Sequence, residues 1–174
     1  RPRRGPRTRE ARGPATDVSA STPATNALDG ARALRVGVIG IGKMGLLHAG
    51  ILNALDGVEL CAVADSSRYL LNVTKNLKPL AAYDDYRAML DQSSLDAVVI
   101  ESPPYFHPEQ VKAAVDRGKH VFLAKPVAVD APGCRSILES GQKAQGKLSF
   151  LVDFQTRVRP VFVEAARRVH EGAI

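Results

Sequence analysis

The sequence has no tryptophan and only nine aromatic residues, four Tyr and five Phe, in 174 positions. So thin a supply argues against the stacking platforms that hold single-stranded nucleic acid. It has two cysteines, Cys61 and Cys134, 73 positions apart. That spacing excludes a disulfide-dense scaffold and a cysteine zinc cluster. Cys61 falls in an apolar run and reads as a small buried residue. His120 and His170 have no acidic or cysteine neighbour at ligand spacing, so no metal site is expected. No run approaches the ~20 apolar residues that span a bilayer, which excludes a transmembrane helix. A strong charge of one sign is also missing once the chain is divided. The net +6 lies mostly in residues 1–33, with seven Arg against three acids, while the other 141 residues carry 17 basic and 15 acidic side chains. The part able to fold is near neutral and does not read as a nucleic-acid binder.

What is present supports one domain, or one and a fraction. The chain is 45% hydrophobic and 24% charged, enough to bury a core. Residues 1–33 are the exception. They are rich in Arg, Pro, Gly, Ala, Ser and Thr, have no helical or strand periodicity, and are expected to form a disordered tail. Arg3-Arg4 has the look of a twin-arginine remnant, but no apolar segment follows it. The cytoplasm is the favoured location, with export by a lost or atypical signal left open.

From Leu34 the pattern alternates. Apolar runs at Leu34–Gly40, Val58–Asp65, Leu95–Ile100, Lys119–Leu123 and Leu148–Phe154 predict strands. Near-continuous apolar runs of this kind suit a parallel sheet covered on both faces. Between them, helical spacing predicts helices over 43–55, 67–76 and 84–91, then from Pro108 to Gly118, and over 131–145. Asp84-Asp85 and Asp130 read as helix starts. A last helix carries an apolar stripe of Val161, Phe162, Ala165, Ala166 and Val169, with Glu164 and Arg168 as an i,i+4 pair. Strands alternating with helices give an α/β fold, a Rossmann-type doubly wound parallel sheet in three α/β/α layers. The expected divisions are a tail over 1–33, a nucleotide-binding domain over 34–157 and a crossover helix over 158–174.

The first strand runs straight into Gly40-Ile41-Gly42-Lys43-Met44-Gly45, a G-x-G-x-x-G turn opening a helix. The first glycine permits the tight turn, the second has no Cβ to obstruct a pyrophosphate, and the third lets helix and strand pack closely. The helix start then offers free N–H groups and the positive end of its dipole to phosphates. Asp65 ends the second strand, 25 residues after Gly40. A carboxylate there accepts hydrogen bonds from ribose hydroxyls and repels a 2′-phosphate, which favours NAD over NADP. Arg68 pulls the other way, since it can reach a 2′-phosphate. The competing reading of Asp65 is a helix N-cap.

With these motifs in order, Leu34–Ile174 resembles the nucleotide-binding half of the Gfo/Idh/MocA oxidoreductases. The resemblance is carried by VGVIGIGKMGLLHAGIL, by VVIESPPYFHPEQVKAAVDRGKHVFLAKPVA, and by VDFQTRVRP followed by HEGAI. It implies that Gly40, Gly42 and Gly45, with the backbone of Ile41, Lys43 and Met44, surround a pyrophosphate. Asp65 would hold the adenosine ribose. Ser102 and Pro103 would pass near the nicotinamide ribose, and His107 would lie near the nicotinamide end. Lys125 and Pro126 match the end of the family's Glu-Lys-Pro motif, which makes Lys125 the catalytic candidate, beside the nicotinamide and the reacting hydroxyl. Gln155 and Arg157 would stand where the chain crosses toward the substrate cleft.

One departure is Ala124, which stands in place of the family's Glu. The other is length. The resemblance implies a carboxyl-terminal α/β substrate domain that this chain is expected to lack, together with the main acid or base and the sheets through which subunits pair. His48, on the helix after the glycine turn, reads as a packing or hydrogen-bonded histidine rather than a ligand. The activity so implied is hydride transfer between a sugar- or polyol-like CH–OH group and nicotinamide. An NAD-using hydrolase or lyase, and a non-catalytic cofactor-sensing or scaffold protein, remain as alternatives.

Overall fold

The computed structural model describes residues 32–77 and 80–173. The expected tail, with Arg3-Arg4, lies outside the described residues as far as residue 31. Its last two positions are described, and Arg32 is anchored. Its guanidinium donates to both carboxylate oxygens of Asp96, at 2.7 and 2.6 Å. The Arg35 N–H adds a third bond to the same carboxylate, at 2.8 Å. These donors hold the Asp96 carboxyl far below the usual range. Arg32 is thus tied to the fold two residues ahead of Leu34.

Six strands follow in chain order: β1 (Leu34–Ile39), β2 (Val58–Ala64), β3 (Ala81–Tyr83), β4 (Ala97–Ile100), β5 (His120–Leu123) and β6 (Phe150–Val152). They form one sheet in the order β3-β2-β1-β4-β5-β6, with every neighbouring pair parallel. The helices are α1 (Lys43–Ala54), α2 (Arg68–Leu77), α3 (Tyr86–Gln92), α4 (His107–Asp116), α5 (Ala131–Ala144) and α6 (Pro160–His170). The expected strands and helices are all present. The sequence did not announce β3, because three residues, Ala-Ala-Tyr, are too few to show a period. It also did not announce the 3-10 turn at Gln155–Val158. Helix α4 begins at His107, so Pro108 is its second residue, a place where a missing N–H costs nothing.

Alternation along the strands makes two cores. Val36, Val38, Val63 and Val99 meet Ala49 of α1 and Leu71 of α2 on one face. Ile39, Ala62, Val98, Ile100 and Leu123 meet Met89, Val111, Ala114 and Ile137 of α3, α4 and α5 on the other. This is the three-layer α/β/α arrangement, and it explains why both parities of each strand are apolar. Side-chain caps fix two helix starts as expected. Asp85 accepts from the Arg87 N–H at 2.9 Å, and Asp130 accepts from the Gly133 N–H at 2.7 Å. Cys61 is half-buried against the second core layer, and burial pushes its thiol up. Helix α6 buries none of its residues and leaves Val161 and Val163 exposed. Its own ion pairs, from Glu164 to Arg167 and Arg168, run along its surface.

Helix α1 is drawn hard against β1. A Cβ built on Gly45 would lie 1.9 Å from the Gly40 carbonyl oxygen, whereas one built on Gly50, in the same helix, would meet nothing within 4 Å. Backbone cannot yield as a side chain can. We therefore expect Gly45→Ala to destabilise the fold by about 3 kcal/mol or more. Gly50→Ala should stabilise it by roughly 0.5–1 kcal/mol, the helical cost of glycine. Thermal and denaturant unfolding of the two variants checks this opposition of sign.

Candidate functional site

Between β1 and β4 the strand order reverses direction, and a cleft of about 770 Å³ opens there beyond the strand ends. Seven of the residues nominated from sequence line it: Gly40, Gly42, Lys43, Met44, Asp65, Ser102 and Pro103. Gly40 takes φ +86°, and a Cβ there would strike the backbone of Glu101 and Ser102 at 2.6–2.8 Å. Gly42 faces open space. It also caps α1 without any side-chain hydrogen bond, and the first turn of α1 holds no acid. The amides of that turn have no partner within the helix, so they are available to an anion. Ile41, by contrast, is fully buried in the core behind the turn.

Asp65 braces this turn. Its Oδ2 accepts from the Ile41 N–H and its Oδ1 from the Ser67 N–H, both at 2.8 Å. The N-cap reading of Asp65 does not hold: α2 begins at Arg68, and Ser67 caps it, its carbonyl accepting from the Leu71 N–H at 3.1 Å and its Oγ from the Leu70 N–H at 3.4 Å. Asp65 instead orders the turn after β2 and lines the cleft, and each of its oxygens can accept a further hydrogen bond. On the opposite wall, the Ser102 hydroxyl bonds the carboxamide oxygen of buried Gln110.

His107 does not line the cleft. Its ring is wholly buried behind the wall, with Nε2 2.8 Å from the Ser102 carbonyl oxygen and Nδ1 3.0 Å from that of Pro126. It ties the loop after β4 to the turn after β5. That turn holds exposed Lys125, joined to Pro126 by a cis peptide. Neither Lys125 nor Pro126 is among the residues that line the cleft. Gln155 and Arg157 sit on the exposed 3-10 turn after β6, and neither lines the cleft.

Several cleft residues had no signal in the sequence. Glu101 follows β4 as a lone acid after an apolar run, with no motif to mark it. Its side chain is 3% exposed and meets His48 of α1, Nδ1 to Oε1 at 2.7 Å. His48 also sets its ring edge-on to Phe122, so it is a paired helix histidine, as its position suggested. Tyr105 and Phe106 form an exposed aromatic rim, their centroids 4.4 Å apart. From α3, the Arg87 guanidinium stacks 4.5 Å over Tyr86 and reaches Glu109 at 3.3 Å. Among the described residues no group of three His, Cys, Asp or Glu could hold a metal ion. No described helix is long and apolar enough to cross a membrane.

The comparisons agree with this geometry. Residues 34–152 match the sequence model of the Gfo/Idh/MocA oxidoreductase family, NAD-binding Rossmann fold. Inositol 2-dehydrogenase of Salmonella typhimurium is 31% identical over 144 residues, 81% of this chain and 43% of that protein. Inositol 2-dehydrogenase/D-chiro-inositol 3-dehydrogenase of Shouchella clausii is 36% identical over 144 residues, 81% of this chain and 41% of that protein. Among solved structures, scyllo-inositol dehydrogenase from Lactobacillus casei with bound NAD(H) and scyllo-inositol superposes with a TM-score of 0.73. It is 27% identical over 82% of this chain and 42% of its own. The chain thus spans about two-fifths of the length of these relatives.

Burial, reinforced by Glu109, pushes the Tyr86 phenol up to about 12 from its usual 10. Its hydroxyl is buried with no hydrogen-bond partner among the described residues. The folded state then keeps this proton where the unfolded chain loses it. The stability that the neutral phenol gives should fade as pH rises from 10 toward 12. Following phenolate absorbance in alkali, we expect one of the four tyrosines to ionise only near pH 12, and Tyr86→Phe to lack that last step.

Proposed function

The chain belongs to the Gfo/Idh/MocA oxidoreductase family, and from that premise we propose that it forms the NAD(H)-binding part of a dehydrogenase acting on a sugar- or polyol-like CH–OH group. The observation that carries this reading is the glycine turn braced by Asp65. The amides of α1 are uncapped, Gly42 leaves room at the cleft, and the bracing carboxylate faces the same space. These features fit a dinucleotide. The Gly42–Gly45 amides would hold the pyrophosphate, and Asp65 the adenosine ribose. Ser102 and Pro103 would border the nicotinamide ribose. When bound, the nicotinamide supplies the carbon that exchanges hydride.

The chain's own residues bind, orient and move protons. Lys125 is the catalytic candidate on this reading. Its exposed side chain follows β5 by two residues, on a backbone that meets the loop after β4 through the Pro126–His107–Ser102 contacts. There it would orient the reacting hydroxyl and stabilise charge on its oxygen. The inositol dehydrogenases among the relatives support a cyclic polyol or related sugar as the substrate class. The preference for NAD over NADP rests on Asp65, whose carboxylate would repel a 2′-phosphate.

Calorimetric titration of the chain with NADH and NADPH, alongside Asp65→Asn, tests the reading. We expect NADH to bind more tightly, and Asp65→Asn to weaken it by roughly tenfold to a hundredfold, the worth of a charged hydrogen bond. Tighter binding of NADPH would move the selectivity to Arg68. A folded chain that binds neither nucleotide would contradict the proposal.

A further inference from the structure

Beyond the glycine turn, the residues that follow β4, β5 and β6 form a row. The register pairs Ile100 with Leu123 and Leu123 with Val152, so Glu101, Ala124 and Asp153 come next to one another. The ladder continues into them. The Ala124 N–H donates to the Ile100 carbonyl and the Asp153 N–H to the Leu123 carbonyl, both at 2.9 Å. Val99 and Phe122 face the α1 side of the sheet, and alternation turns Glu101, Ala124 and Asp153 to that same side. His48 descends from α1 onto this row.

The Glu101 carboxylate is almost wholly enclosed, and its 2.7 Å approach to His48 is off-line. Among the described residues, neither Oε1 nor Nδ1 has a conventional hydrogen-bond partner. The charged groups that face it are His48 from α1 and Asp153 from the end of β6. Gly40 from β1 and Ala124 from β5 bring none. Burial and Asp153 push the Glu101 carboxyl up, and His48 pulls it partway back. A buried carboxylate held by one imperfect partner is costly to a fold. An apolar residue would suit the core better, so the acid calls for a role.

We propose that Glu101 and His48 are the positioning pair of the dinucleotide site, clamping the phosphate-binding turn of α1 to the strand ends that lead into Ser102 and Lys125. This rests on the dinucleotide reading above. Glu101 touches both halves of the site. Its Cβ lies 3.5 Å from where a Cβ on Gly45 would stand, and Ser102 is the next residue. The segment carrying Lys125 has only alanine at 124. The row therefore places its carboxylate at 101, one strand away, and register lets either position present an acid to His48.

Moving the acid along the row tests the idea. NADH affinity is measured by calorimetry for the wild-type chain, Glu101→Ala, Glu101→Gln and the double variant Glu101→Ala/Ala124→Glu. The His48 ring is followed by nitrogen NMR, and folding by thermal unfolding. We expect Glu101→Ala and the isosteric Glu101→Gln to weaken NADH by about tenfold or more. We expect both to shift the His48 ring signal, and the double variant to restore most of the affinity and the signal together. Should Glu101→Ala fail to fold, Glu101→Gln carries the comparison at unchanged volume. Wild-type affinity in a folded Glu101→Gln would overturn the proposal. So would a double variant that restores the His48 signal but not the binding. Failure of the wild type itself to bind NADH would instead sink the dinucleotide reading on which the pair depends.

Discussion

The approach of Gly45 to the carbonyl of Gly40 is the contact on which the rest of the site depends. Nothing larger than hydrogen fits there, with the Gly40 oxygen 1.9 Å from where a Cβ would stand. That closeness seats α1 on the sheet and aims its free amides at the cleft. It also leaves the backbone of Gly40 pressed on Glu101 and Ser102. Asp65 then locks the turn from the other side through the Ile41 N–H. A strand, a helix and two loops thereby share one small volume. The order β3-β2-β1-β4-β5-β6 puts that volume at the reversal between β1 and β4, where parallel sheets leave a crevice.

Electrostatics follow from this crowding. The helix start supplies positive potential without any acid in its first turn. Among the carboxylates that line the cleft, Asp65 is occupied by backbone amides, Asp85 by the cap of α3 and Glu109 by Arg87, while Asp84 is exposed to solvent. Glu101 is the exception, enclosed and only imperfectly matched by His48. Elsewhere the ion pairs are on the surface. The Asp116 carboxyl, between Lys112 and Lys143, is held at about 2. Exposed pairs of this kind contribute little to stability. The fold rests on its two apolar layers, and the buried charge is reserved for the site.

Much of this was legible in the sequence for physical reasons. Runs such as Val36–Ile39 and Val98–Ile100 are apolar in both parities because both faces of the sheet are covered. The glycine turn was legible because its spacing is imposed by steric limits. Asp85 and Asp130 were legible because caps act locally. What escaped were features set by tertiary neighbours. Strand β3 exists only because β2 offers an edge to Ala81–Tyr83. Arg32 belongs to the fold because Asp96, 64 residues on, receives it. His107 was assigned to the nicotinamide end, yet its ring lies behind the cleft wall, because two carbonyls hold it there. Glu101 could be found only from strand register, which no single stretch of sequence displays.

Amide spectra of the isotopically labelled chain during addition of NADH would test the central claim most directly, because they report position as well as binding. The account predicts saturable shifts greatest at Gly42, Lys43, Met44 and Gly45, with a second group at Ile41, Ser67 and Ser102. Shifts confined to the separate hollow formed by Ile137, Gln142 and Phe150, with the glycine turn unmoved, would contradict it.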